Sequence, residues 1–173
     1  MGAIYLPIDS QRKLIELSRM ALEGVVYGAT RPVGQVEDPY LLSSEYGSFV
    51  TLHKGTELRG CIGTCSPTSP LYETVAEMTQ AAATQDHRFS PITKDEIHGI
   101  HINISVLSPL EWTPDPLSLI VGEHGLHVAK GKKRGVLLPQ VATEYGWDIK
   151  TFLGQACIKA DLPEDSWRSK DTQ

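Results

Sequence analysis

No stretch of this sequence approaches the roughly 20 apolar residues needed to cross a bilayer. Met1 to Asp9 has no basic segment followed by an apolar one, so neither a membrane span nor a secretory leader is expected. Cysteine is scarce and odd in number. Cys61, Cys65 and Cys157 have no repeated spacing, which excludes a disulfide framework and points to the reducing cytoplasm. Cys61-x3-Cys65, even with His53 added, lacks the paired spacing of a zinc site, so no metal is expected. Neither G-x-G-x-x-G nor a P-loop occurs, which leaves nucleotide binding by those routes without support. Nothing calls for another cofactor. Positive charge is in deficit: 16 Lys and Arg against 21 Asp and Glu give a net charge of −5. An acidic chain fits a phosphate backbone poorly, so nucleic acid ranks last among the partners. The one compact basic run, Lys130, Lys132, Lys133 and Arg134 around Gly131, reads as a charged hairpin turn. Repeats, low-complexity tracts and a dividing linker are also missing.

What remains is an ordinary globular composition, 40% apolar and 21% charged over 173 residues, enough for one domain spanning 1–173 with a real core. After Asp9-Ser10, which has the residue types of an N-cap, Leu14, Leu17, Ala21, Leu22 and Val25 recur at helical spacing, and Gly28 stops the run. Pro32, Gly34 and Pro39 mark residues 30–47 as loop. Ser48 to His53 alternates like a strand, Lys54-Gly55-Thr56-Glu57 is a hairpin turn, and Leu58 to Thr64 returns. Ser69-Pro70 opens a second helix through Leu71, Val75, Met78 and Ala82. Thr93 and Glu96 stand at capping-box spacing. His101 to Leu107 alternates as the surest strand, and Leu119 to Val121 is read as extended. Gly125 to Ala129 and Gly135 to Leu138 form a hairpin around the basic run. Pro139 opens a short helix that Gly146 stops, and Asp148 caps a last helix carrying Ile149, Phe152, Leu153 and Ala156. Strands that come as hairpins favour an α+β fold with mainly antiparallel pairing and flanking helices.

Chemistry concentrates in Arg59-Gly60-Cys61-Ile62-Gly63. Glycine within a strand signals a bulge or a close approach to the backbone. Gly60 and Gly63 therefore make Cys61 a candidate nucleophile or ligand contact, at most partly buried. Arg59 either favours thiolate at Cys61 or clamps an anion through its planar fork. The bland alternative makes Cys61 a small buried apolar residue. For Arg59 it is a structural pair with a carboxylate such as Asp86 or Glu96, and we expect the clamp. Asp86-His87-Arg88 offers a base in Asp86 and a second anion clamp in Arg88, against the plainer reading of a solvated link. His124, before Gly125 at a hairpin entrance, is a candidate base. Packing alone accounts for Trp147.

Leu58-Arg59-Gly60-Cys61-Ile62-Gly63 resembles the six-residue signature of the AMMECR domain family. Further segments match in order: Phe49 to Leu52, Asp86 to Pro91, Ile104 to Pro109, Gly122 to Leu126, Leu137 to Ala142, and Gly146-Trp147-Asp148. The resemblance covers about residues 10 to 168 and is nearest to the short prokaryotic type. It implies an α+β fold with a larger and a smaller subdomain and a cleft between them, in which Arg59, Asp86, Arg88 and His124 converge near Cys61. It implies a part in a modification pathway beside Memo-like and radical S-adenosylmethionine proteins. It does not supply a reaction. A cysteine-dependent enzyme and a non-catalytic module for a small molecule or peptide are therefore both carried forward. The resemblance also implies a further strand rich in Val and Phe after Asp165 to Arg168. The sequence to Gln173 does not contain it, so a bare sheet edge is expected there.

Overall fold

The computed structural model describes residues 5–29 and 34–173. Residues 1–4, and residues 30–33 at the start of the expected loop, lie outside that range. The chain divides into two compact units, residues 5–109 and residues 110–173.

The larger unit begins with α1 (Ile8–Tyr27). The helix starts ahead of the expected Asp9-Ser10 cap, with Pro7 in the capping position. Ser10 has another use: its buried hydroxyl donates to Asp38 Oδ2 at 2.6 Å. The other oxygen of Asp38 caps a short helix absent from the sequence reading, α2 (Pro39–Leu42), by accepting the Tyr40 N–H at 2.9 Å. Gly28 ends α1 in the left-handed region at φ 71°, the conformation that makes glycine the usual residue there.

A hairpin follows. β1 (Gly47–Lys54) turns through Gly55-Thr56 into β2 (Glu57–Thr64), and α3 (Leu71–Thr84) then leads to β3 (Ile100–Leu107). The sheet is antiparallel in the order β2-β1-β3. Alternation sends Val50 and Leu52 inward, where they are fully buried with Leu14, Leu17 and Leu22 of α1 and Leu71 and Val75 of α3. The two helices also meet through a buried 2.7 Å hydrogen bond between the Ser18 and Thr79 hydroxyls. Residues 49, 51 and 53 of β1 point to the opposite face of the sheet.

The smaller unit is a hairpin, β4 (Leu126–Lys130) and β5 (Lys133–Leu137), joined through Gly131-Lys132. With it are α4 (Pro139–Glu144) and α5 (Ile149–Lys159). Asp148 caps α5 as expected, accepting the Thr151 N–H at 2.8 Å. Phe152, Leu153, Ala156 and Cys157 of α5 pack with Leu126, Val128 and Leu137 into a second core. Trp147 packs against this core and its ring stacks with that of Tyr145, centroids 4.9 Å apart. Leu119 to Val121 is not a strand. A 3-10 turn at Pro116–Ser118, capped by Asp115, precedes it, and the Ile120 carbonyl then closes a turn by accepting N–H groups of Glu123 and His124. The basic hairpin is tied to acids, Lys130 to Asp171 at 3.8 Å and Lys133 to Asp161 at 2.7 Å. The edge expected to be bare is paired at one position: Gln173 and Ala129 exchange both backbone hydrogen bonds, at 2.7 and 2.9 Å. No helix among the described residues is long and apolar enough to cross a membrane.

Candidate functional site

The register of β1 against β2 positions the signature. Thr51 lies opposite Cys61 and Leu52 opposite Gly60, but His53 lies opposite Leu58, so Arg59 is the extra residue of a β-bulge. A bulge re-aims a side chain and breaks the simple alternation that would put Arg59 and Cys61 on one face. Gly60 turns inward against α3. A Cβ built on it would stand 2.1 Å from the Ala82 carbonyl oxygen. Gly63 lies under Phe49, whose ring a Cβ would meet at 2.3 Å. What approaches these two glycines is the protein itself, helix α3 at one and an aromatic ring at the other. Gly60→Ala is therefore expected to push α3 off the sheet and cost roughly 1–3 kcal/mol. A urea titration would measure it, and a midpoint equal to the wild type's would contradict this packing.

Cys61 sits on the outer face of the sheet, half-buried, in a row with Thr51 and Asn103. The Thr51 hydroxyl donates to Cys61 Sγ at 3.3 Å. Directly opposite residues come this close when their own backbone groups point away from each other. The backbone of Cys61 therefore faces the free edge of β2, and there Asp86 and Arg88 complete it. Asp86 Oδ2 accepts the Cys61 N–H at 2.9 Å, and Arg88 Nη2 donates to the Cys61 carbonyl at 3.3 Å. Asp86 is 4% exposed, and the Arg88 fork reaches both of its oxygens, at 2.9 and 2.6 Å. The pair thus stands in for a neighbouring strand at one rung, a device that blunts a sheet edge. The Arg88 guanidinium and the Cys61 N–H together hold the Asp86 carboxyl far below the usual carboxylate range, although burial opposes them. A carboxylate held so low gives a general base little driving force to take a proton. Arg88 is half-exposed and lies over the Phe89 ring, 5.2 Å from its centre.

Arg59 departs from the expectation of a partly unpaired clamp. Its Nε and Nη2 donate to the two oxygens of Glu96 at 3.0 and 3.1 Å, and Nη2 also reaches the Ser90 carbonyl at 3.2 Å. A planar fork on a carboxylate is the geometry of a structural arginine pair. Glu96 also accepts the N–H and hydroxyl of Thr93, at 3.2 and 3.1 Å, and lies 3.7 Å from Lys54 Nζ. Led by Arg59 and aided by Thr93, these donors hold its carboxyl down to about 2. The stretch from Asp86 to Glu96 is thus fastened to β2 by two charge clamps, on either side of Gly60.

Arg59, Gly60, Cys61, Gly63, Asp86 and Arg88 all belong to the larger unit. His124 belongs to the smaller one, where its Nδ1 accepts the Ile120 N–H at 3.1 Å while its own N–H returns to the Ile120 carbonyl at 3.0 Å. There it closes a turn. Cys65 is half-buried and Cys157 fully buried, and burial pushes both thiols up. Among the described residues no group of three or more His, Cys, Asp or Glu side chains is arranged to hold a metal ion. Thr51 and Asn103 were not singled out from the sequence. Only the strand register places them beside Cys61.

The matches to known proteins run almost the full length of the chain. A crystal structure of the uncharacterized protein PH0010 from Pyrococcus horikoshii superposes with a TM-score of 0.82 at 37% identity, covering 92% of this chain and 84% of that one. A protein of Methanothermobacter thermautotrophicus is 41% identical over 98% of this chain and 92% of its own length. Protein MJ0810 of Methanocaldococcus jannaschii is 42% identical over 75% of this chain and 68% of its own. The AMMECR1 family model matches residues 15–173, and the chain belongs to the AMMECR1 family.

Proposed function

We propose that this chain is a binding component of a modification pathway. Its ligand, a small molecule or an extended peptide, meets the outer face of the three-stranded sheet around Cys61. One observation carries the reading: the backbone of Cys61 is immobilised by Asp86 and Arg88 while its thiol stays half-buried on that face, beside Thr51 and Asn103. A side chain held by its supports and still reachable is what a recognition surface needs. Arg88 is half-exposed but paired with Asp86, so its part is to hold the Cys61 backbone in place beside the ligand. Memo-like and radical S-adenosylmethionine proteins are the partners we assign to this component. The reading favours binding over catalysis because Asp86 and Arg59, the residues that would have served as base and clamp, are engaged in ion pairs.

A second reading rests on the Thr51 hydroxyl, which donates to Cys61 Sγ. A hydroxyl held against the sulfur fixes where the thiol points, which is what a nucleophile needs to meet its target. A metabolite pull-down with wild type, Cys61→Ala and Thr51→Val distinguishes the two. Binding alone requires a compound retained unchanged by wild type and lost on Cys61→Ala. A nucleophile requires a mass adduct on Cys61 that Thr51→Val diminishes. If all three proteins retain the same compounds, this face is not the site.

A further inference from the structure

The smaller unit gathers charge of both signs beside the start of α5. Asp161, in the left-handed region at φ 56°, follows the end of that helix, and the Leu162 N–H returns to the Cys157 carbonyl at 2.9 Å. The chain therefore reverses, and a 3-10 turn, Glu164–Arg168, comes back beside α5. The second core fixes both elements, since Trp167 packs against the cluster that holds Phe152, Ala156 and Cys157. Gly154 lets them touch: a Cβ built on it would stand 2.7 Å from Glu164 Cγ.

The two elements enclose a cavity of about 340 Å³, lined by Lys150, Thr151, Glu164, Asp165, Trp167 and Arg168. Two cations and two carboxylates thus surround one space. Among the described residues none of the four is in an ion pair, whereas Lys130 and Lys133 of the same unit both reach acids. Arg168 is laid over the Trp167 ring instead, 4.8 Å from its centre. Lys150 stands in the first turn of α5, where the backbone N–H groups add positive potential. The capping carboxylate of Asp148 is near enough to feel Lys150 but does not pair with it.

Charge decides the occupant. A simple anion would meet Glu164 and Asp165, and a simple cation would meet Lys150 and Arg168, so each would set like charges together. An uncharged apolar molecule would strip water from four charges and return no partner to any of them. A small zwitterion answers both signs at once. The volume lies at the lower end for ligand cavities, which suits a molecule of amino-acid size.

We propose that this cavity binds a free α-amino acid, its carboxylate toward Lys150 and the start of α5, its ammonium toward Glu164 and Asp165, and its side chain along Trp167. The site belongs to the smaller unit and stands or falls independently of the ligand face at Cys61.

Titration of the isotope-labelled full chain with free L-amino acids, one at a time, tests the proposal. The amide shifts of Thr151, Asp165 and Trp167 are expected to saturate with at least one of them. For that amino acid, the N-acetyl derivative lacks the ammonium and the carboxamide lacks the carboxylate. Each should bind more weakly by roughly tenfold or more, the value of one charge-assisted contact. Lys150→Ala and Asp165→Asn, both at exposed positions, should weaken binding to a similar extent while the chain stays folded. The proposal is overturned if no amino acid shifts these amides, if a blocked derivative binds as well as the free form, or if both variants keep full affinity. Should a variant fail to fold, the comparison of free and blocked ligands on the wild type decides.

Discussion

Arg59→Ala is expected to lower the melting temperature by roughly 6–12 °C. This follows from a loss of about 3 kcal/mol and the usual 2–4 °C per kcal/mol for a chain of this size. The side chains of Arg59 and Glu96 are only 12% and 18% exposed, so the pair is largely shielded from water. Removing the arginine strands a carboxylate that Thr93 and the longer Lys54 contact only partly satisfy. Arg59→Lys keeps the charge and loses the fork, and is expected to recover less than half of the loss. The same pair sets an acid limit. The carboxyl of Glu96 is held at about 2, below the ordinary value of 4.5. Its contribution is therefore complete above about pH 5 and is lost as pH falls toward 2, to the extent of about 3 kcal/mol. Melts of wild type and Glu96→Gln at pH 7 and pH 3 would measure this. The difference between the two proteins at pH 7 should shrink to less than half at pH 3, and a difference unchanged by pH would contradict the assignment.

Asp86→Ala is expected to cost about 2–4 kcal/mol, because it leaves the Cys61 N–H without a partner and removes the counter-charge of Arg88. The half-exposed Arg88 can turn to water, which keeps the loss below that of a fully buried pair. Asp86→Asn still accepts the Cys61 N–H and loses only the charge, so it should fall between wild type and alanine. Denaturant titration gives the order. If asparagine and alanine are equally damaging, the ion pair outweighs the edge bond. If neither is damaging, the edge of β2 does not depend on Asp86.

Much of the fold could be read locally because its signals are local. Gly55-Thr56 and Gly131-Lys132 close two-residue hairpins, Asp148 caps α5, and Gly28 stops α1, each within a few residues of the structure it determines. Asp38-Pro39 carried a comparable signal for α2, a capping carboxylate before a proline at the first helical position, inside a stretch read as loop. The site was harder. Nothing adjacent to Arg59 marks it as the bulged residue, and Glu96, one of the two carboxylates weighed as its partner, lies 37 positions away. A glycine within a strand signals close approach, but sequence does not say what approaches. Here it is Ala82 and Phe49, neither of them near in sequence to the glycine it covers. Thr51 could be found beside Cys61 only by counting through the hairpin and across the bulge.

The most direct measurement of the central claim, that Cys61 is presented on an immobilised strand, is site-resolved alkylation by iodoacetamide at neutral pH. Burial pushes the thiols of Cys65 and Cys157 up, which slows both, and Cys157 is sealed in the second core. The expected result is that the Cys61 peptide is modified first while the protein keeps its melting profile, with Cys157 untouched until denaturant is added. A Cys61 that resists alkylation until the chain unfolds would contradict the claim.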